Sequence, residues 1–229
     1  MHIRQRIRAS SFARHNHEDA YAALVLAGGY EEAGDNGRLQ VRAGDVVFHD
    51  SFEAHLDRFA VSGAVVLNLR LPAGCSFTPG IAKVANADLI VRASEKNQTD
   101  ALDLLLWMSE AQTTNFADWP DELAATLIHN PSLVLFGWAE DRGLSPWTVS
   151  RGFAQVFGVS PEAFRARARA RQALRLIQAT DQPLAEIAYH LGFADQSHMT
   201  RSVKRLTGIV PNVWRGAANR FKTRHARRM

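Results

Sequence analysis

The sequence has a single cysteine, Cys75, which excludes an internal disulfide framework and a cysteine-based zinc finger. That cysteine sits in PAGCSF, a turn-like or buried setting. It has no basic or histidine neighbour that would make its thiol reactive. No apolar run approaches the ~20 residues of a membrane-spanning helix, and the opening stretch MHIRQRIRASS lacks the apolar core of a signal peptide. The expectation is a soluble, cytoplasmic protein without a membrane partner. Acidic residues are scarce in one half only. Residues 131–229 carry 16 Lys/Arg against 6 Asp/Glu, whereas residues 1–130 carry 11 against 17. A basic half joined to an acidic half suggests that the C-terminal half alone meets a polyanion.

What the C-terminal half contains is a repeat. VSRGFAQVFGVSPEAFR (149–165) aligns without a gap on MTRSVKRLTGIVPNVWR (199–215), 50 positions on. Arg151 falls on Arg201, Phe153 on Val203, Gly158 on Gly208, Pro161 on Pro211 and Phe164 on Trp214. Upstream, Ala139 and Gly143 match Ala188 and Gly192 at an offset of 49. In the second copy Leu184, Ile187, Ala188 and Leu191 form an apolar helical stripe. Gly192 ends that helix, and Asp195 caps the next. Met199, Val203 and Leu206 then point inward and leave Gln196, Ser197, Thr200, Arg201 and Lys204 outside. In the first copy Ser145 caps and Pro146 occupies the first helical position. There Val149, Phe153 and Val156 face the core, with Trp147, Ser150 and Arg151 opposite. Two helix-turn-helix units therefore lie in tandem. One copy alone would read as an ordinary αα-hairpin; two copies with matched polar faces do not.

The stretch GFADQSHMTRSVKRLTGIVPNVWR (192–215) resembles the signature of the AraC/XylS family of bacterial transcription regulators. The signature runs GF, then D-x-S-x-F-x-R-x-F-K, then G-x-x-P-x-x-[WY]-R. Met199 and Val203 stand where that family usually has aromatic residues, but both remain apolar. The resemblance covers about the last 100 residues. It implies a double-stranded DNA operator, contact with RNA polymerase and no enzymatic activity. Carried over by position, Trp147, Ser150 and Arg151 would face one major-groove segment. Gln196, Ser197, His198, Thr200, Arg201 and Lys204 would face the next, with Lys204, Arg205 and Arg215 holding phosphates. FRARARARQALRLIQA (164–179) would be the rod between the units, setting them about 34 Å apart, one turn of DNA. Its arginines go around the helix, and most are expected on the solvated surface. The basic tail NRFKTRHARRM would add nonspecific phosphate attraction.

The N-terminal half reads as strands up to about residue 92. AYAALVLAGGY (20–30), RLQVRAGDVVFHD (38–50) and GAVVLNLRL (63–71) are separated by glycine-containing turns, a spacing that suggests a small barrel or sandwich. His15 and His17 project from one strand face, and His55 follows eleven residues after Gly44. The pattern resembles the cupin fold, whose first motif carries H-x-H and whose second carries G-D…H. In that fold three histidines and a glutamate often hold a divalent metal. Here Tyr21 takes the place of the glutamate, and the second motif lacks its PxG. The resemblance implies His15, His17 and His55 as ligands for Zn, Ni, Fe or Mn, with a position open to water or an effector. Tyr21 and His49 are candidates for the wall of an effector pocket. His49 and Glu53 are alternative ligands, although strict alternation also allows His49 to face outward. Without metal, the same histidines would be a polar pocket lining or barrel packing.

Between the halves, RASEKNQT (92–99) is polar, and a helix begins near Asp100 in ALDLLLWMSEA. Its apolar surface is wide, and the family resemblance implies a homodimer through it; packing on its own barrel is the other reading. Pro120 opens a further helix, and Asn130-Pro131 marks the way into the DNA-binding half. The expected protein is a two-domain α+β regulator. Residues 1–92 form a cupin-like β-barrel that senses a small molecule or metal. Residues 93–130 are a helical linker or dimerisation segment, and residues 131–229 an all-α tandem helix-turn-helix domain. The competing reading is a metal-dependent cupin enzyme fused to a DNA-binding domain.

Overall fold

The computed structural model describes residues 4–72, 77–112, 118–130 and 133–216. Cys75, Pro131 and the basic tail lie outside the described residues. The chain divides into two compact units, the first holding residues up to 122 together with 155–158 and the second the remainder.

The first unit is built on an eight-stranded antiparallel sheet. Its strands are β1 (Arg4–Ile7), β2 (Ser11–Asn16), β3 (Tyr21–Gly34), β4 (Gly37–Arg42), β5 (Asp45–His49), β6 (Ala54–Arg70), β7 (Gly80–Val84) and β8 (Ser109–Ala111). The path runs β1-β6-β3-β5-β7-β8, with β2 also paired to β6 and β4 also paired to β3. Among the described residues no pairing joins the two ends, so the expected closed barrel is replaced by a folded open sheet. The strand-forming region also stops earlier than residue 92, because α1 (Ala87–Ser94) and α2 (Gln98–Met108) follow β7 directly. The short β8 is a strand that the sequence reading did not anticipate.

Both faces of the sheet are buried, which is why AYAALVLAGGY is continuously apolar rather than alternating. Ala22, Leu24, Val46, Phe48, Leu67 and Leu69 pack with Ile90 of α1 and Ala101, Leu102 and Leu105 of α2. The opposite face gathers Tyr21, Ala23, Val25, Tyr30, Val47, Ala64 and Val66. The apolar side of α2 is thus spent on its own sheet, leaving Trp107 82% exposed.

In the second unit the repeat becomes matched geometry. After α3 (Trp119–His129) come α4 (Leu135–Glu140), α5 (Pro146–Phe157), α6 (Pro161–Ala179), α7 (Leu184–His190) and α8 (Gln196–Thr207), and residues 211–216 are again helical. The helices α5 and α8 are 12 residues each. Gly143 and Gly192 end their helices at φ 64° and 69°, and Gly158 and Gly208 at 71° and 75°, a left-handed conformation that glycine adopts without steric cost. Val149, Phe153, Met199 and Val203 are all buried, so the two departures from the aromatic pattern still fill the core.

Each of these two helices carries its expected cap. The Thr148 amide donates to Ser145 Oγ at 3.0 Å and the His198 amide to Asp195 Oδ1 at 2.6 Å. Replacing Asp195 by alanine orphans that amide and removes a negative charge from a helix N-terminus. The expected loss is about 0.5–2 kcal/mol of stability, read from chemical denaturation followed by circular dichroism.

Candidate functional site

Trp147, Ser150 and Arg151 are exposed on α5; Gln196, Ser197, His198, Arg201 and Lys204 are exposed on α8, with Thr200 half-buried. Helical spacing brings Arg151 over the ring of Trp147, 4.9 Å from its centroid. Trp147 itself is 66% exposed, so it is a platform for Arg151 and not a core aromatic. His198 packs edge-on against Phe193 at 5.4 Å, which limits its freedom at the start of α8.

Several other basic residues have framework roles. Arg215, expected to hold a phosphate, donates to the Gln182 carbonyl at 2.6 Å. Arg165 donates to the Leu133 carbonyl at 3.0 Å and Arg169 to the Gly192 carbonyl at 2.8 Å, while Arg171 is buried. The rod's arginines therefore include three that tie loops or sit in the core, a correction to the expectation of mostly solvated surface. Leu133, Gln182 and Gly192 lie in the connections between helices, where a carbonyl has no ladder donor, and guanidinium groups supply one. Lys204 and Arg205 stay exposed.

The first unit contains a cavity of about 240 Å³ lined by His15, His17, Tyr21, Tyr30, His49, His55, Asp57 and Phe59, with Gln5 and Asn68 at its polar margin. Antiparallel register assembles it. His15 pairs with His55 across β2 and β6, and Tyr21 pairs with His49 across β3 and β5. Ligand atoms of His15, His17 and His55 all lie within 4.8 Å of one another. The His49 ring stacks on Tyr21 at 4.5 Å, facing inward; the outward alternative does not occur.

These groups fit a metal. His15 Nδ1 lies 2.9 Å from the Ala13 carbonyl, so it is the donor there and Nε2 keeps a lone pair. Burial, with the neighbouring imidazoles of His55, His15 and His49, pulls His17 down to about 4, which keeps it neutral and able to ligate near pH 7. His55 Nδ1 lies 2.9 Å from Asp57 Oδ1, and its Nε2 lies 3.1 Å from the Tyr21 hydroxyl. With the carboxylate accepting from Nδ1–H, the hydroxyl donates to Nε2.

Two carboxylates at this site, Glu32 and Asp57, were missed from sequence, and a third, Glu53, was read there as an alternative ligand. Glu32, Glu53 and Asp57 are all buried beside the histidines. Glu32 Oε2 stands 3.5 Å from His49 Nε2 and 3.7 Å from His55 Nδ1. Burial pushes the Glu32 carboxyl up to about 8; Asp57 and Glu53 add to the rise and His55 opposes it. A carboxylate, absent from the expected position where Tyr21 stands, thus enters the site from elsewhere on β3. The signal that would have found it is a β-bulge. The β3–β6 register shifts between Val25 and Ala27, which moves the inward face from Tyr21, Ala23 and Val25 to Tyr30 and Glu32.

Residues 138–217 match the family model of a helix-turn-helix domain. The chain is 36% identical over 72 residues to the arabinose operon regulatory protein of Salmonella typhimurium, covering 31% of this chain and 26% of that protein. It is 32% identical over 78 residues to the HTH-type transcriptional regulator ExsA of Pseudomonas aeruginosa, covering 34% and 28%. The match thus spans about a quarter of the length of these curated relatives. Among solved structures, the C-terminal domain of AraT, a response regulator from Geobacillus stearothermophilus, aligns over 45% of this chain and 88% of its own at 24% identity and a TM-score of 0.42. Unsaturated fatty acid-bound ToxT from Vibrio cholerae aligns over 90% of each chain at 13% identity and a TM-score of 0.42.

Proposed function

We propose that this chain is a sequence-specific, DNA-binding transcription regulator of the AraC kind, whose N-terminal sheet domain senses a small molecule or a metal. The observation that carries the reading is the duplicated helix-turn-helix, with Arg151 and Arg201 exposed at equivalent positions of two capped 12-residue helices. Arginine forks onto guanine O6 and N7, and Gln196 offers the pairing that suits adenine N6 and N7. Lys204 and Arg205 supply phosphate contacts. The matched domain of the arabinose and ExsA regulators supports the same assignment.

In this reading the cavity is the sensing site. At about 240 Å³ it is below the 300–1,000 Å³ usual for drug-sized ligands, so the effector is small and polar or a hydrated metal ion. His15, His17 and His55 would hold a metal; bound there, it would supply a fixed positive charge and an open coordination position. Occupancy shifts the population of operator-binding arrangements. RNA polymerase and a second copy of the chain are the proposed protein partners.

Selection of binding sites from random duplex DNA by the full chain, followed by footprinting, tests this. The expected result is an enriched site with two protected major-groove segments about 34 Å apart. Binding that is equal on all sequences, with no enriched site, would overturn it.

A further inference from the structure

We propose that Glu32, His49, His55 and Asp57 form a buried site for a first-row divalent cation such as Zn(II), deeper than the three-histidine set that the motif suggests and sharing only His55 with it. In a tetrahedral zinc site with bonds of about 2.0–2.1 Å, ligand atoms stand about 3.3–3.4 Å apart. Glu32 Oε2 is 3.5 Å from His49 Nε2 and 3.7 Å from His55 Nδ1. Both separations are too long for hydrogen bonds and within a few tenths of an ångström of ligand spacing. Glu32 Oε2 is buried with no hydrogen-bond partner, and so is His49 Nδ1. A buried orphan carboxylate oxygen is costly, and a cation between it and the imidazoles removes that cost.

The surroundings are those of ligating histidines, whose second nitrogen is held by a carboxylate, carbonyl or hydroxyl. For His49, Glu53 Oε1 lies 3.8 Å from Nδ1, a short shift from accepting its proton. For His55 the Tyr21 hydroxyl lies 3.1 Å from Nε2. When the cation arrives, a proton held on Glu32 leaves to solvent and His55 changes tautomer: the Nδ1 proton leaves to solvent, Nε2 takes one from solvent, Nδ1 ligates and Nε2–H donates to the Tyr21 oxygen. Asp57 Oδ1, already 2.9 Å from Nδ1, loses that hydrogen bond and becomes the fourth ligand. Two carboxylates and two neutral imidazoles around a divalent ion sum to zero charge, which suits a buried position. The site stands whether or not the chain binds DNA.

The test uses full-length protein stripped with chelator, then titrated with Zn(II) by equilibrium dialysis and with Co(II) by visible absorption. The expected result is one tight equivalent in the wild type that survives His15→Ala/His17→Ala. Glu32→Gln and His49→Ala should each weaken it by on the order of 100-fold or more, beyond the loss usual for removing a ligand's outer partner. Glu32→Gln is isosteric and leaves a neutral group in a buried position, so the metal-free variant folds and carries the result even where His49→Ala does not. Loss of the equivalent in His15→Ala/His17→Ala with retention in Glu32→Gln would overturn the site, as would absence of metal from the wild type. Operator binding by the metal-free protein, measured in parallel, reports separately on the regulator reading.

Discussion

Gly28→Ala is expected to prevent the sheet domain from folding. Gly28 has φ 72°, and a Cβ built there would lie 1.9 Å from the Gly63 carbonyl oxygen and 2.9 Å from its carbon. Both obstacles are backbone, so no side chain can swing aside. Gly63 is in the same position one strand further on, with φ 68° and a would-be Cβ 2.2 Å from the Ile7 carbonyl oxygen. Three strands meet here, since Ala64, beside Gly63, pairs with Gly28 on β3 and with Ile7 on β1. Relieving the contact means separating β3 from β6, the longest pairing in the sheet. The left-handed backbone alone costs an alanine about 1–2 kcal/mol, and the lost pairing takes the total to a large share of the ~5–15 kcal/mol that holds an ordinary domain. Gly37→Ala is the control. It also has positive φ, 117°, but nothing lies within 4 Å of its would-be Cβ, so only the backbone cost remains. Thermal unfolding should show a modestly lowered transition for Gly37→Ala and no cooperative sheet transition, or insoluble protein, for Gly28→Ala. Equal behaviour of the two variants would refute the steric argument.

The same crossing explains what could and could not be read from sequence. The helical half was legible because its information is local: caps at Ser145 and Asp195, glycines at four helix ends, and an apolar spacing repeated at a fixed offset. Three of the cavity's four histidines, His15, His17 and His55, were legible as a motif, and the fold brings them together. Glu32 was not legible, because its direction depends on one extra residue in β3 near Leu26. Counting alternation from Tyr21 sends Glu32 to the wrong face; a bulge reverses the parity of every position after it. Asp57 was overlooked for a different reason. It is an ordinary acidic residue two positions after His55, and only the folded sheet shows that it is buried with it. Arg215 was read as phosphate-facing from its charge near the end of a motif, and nothing local announced that it also donates to the Gln182 carbonyl 33 residues earlier. Long-range backbone partners of this kind leave no periodic trace.

Removing the equivalent arginines of the two exposed helices together should abolish sequence preference while leaving the fold intact. Arg151 and Arg201 are exposed and occupy the same place in the repeat, so their loss opens no cavity. A bidentate guanine contact is worth about 1–3 kcal/mol against the wrong base, and contributions at separated positions add. Arg151→Ala/Arg201→Ala should therefore lose about 2–6 kcal/mol on the selected site, roughly 30-fold to 20,000-fold in affinity, with little loss on scrambled DNA. Lys204→Ala behaves differently: it weakens all sequences alike and reduces the slope of log affinity against log salt by about one. Trp147 separates two roles for Arg151. With its guanidinium held 4.9 Å over the indole, the side chain is partly ordered before DNA arrives. Trp147→Ala should then lower affinity for the selected site through Arg151, and add little once Arg151 is already alanine. Fluorescence anisotropy on selected and scrambled duplexes at several salt concentrations measures these variants, with Arg151→Ala and Trp147→Ala/Arg151→Ala completing the comparison. If the double arginine variant loses affinity equally on both duplexes, the arginines are phosphate clamps, and the base-reading assignment moves to Gln196 and the other exposed residues of α8.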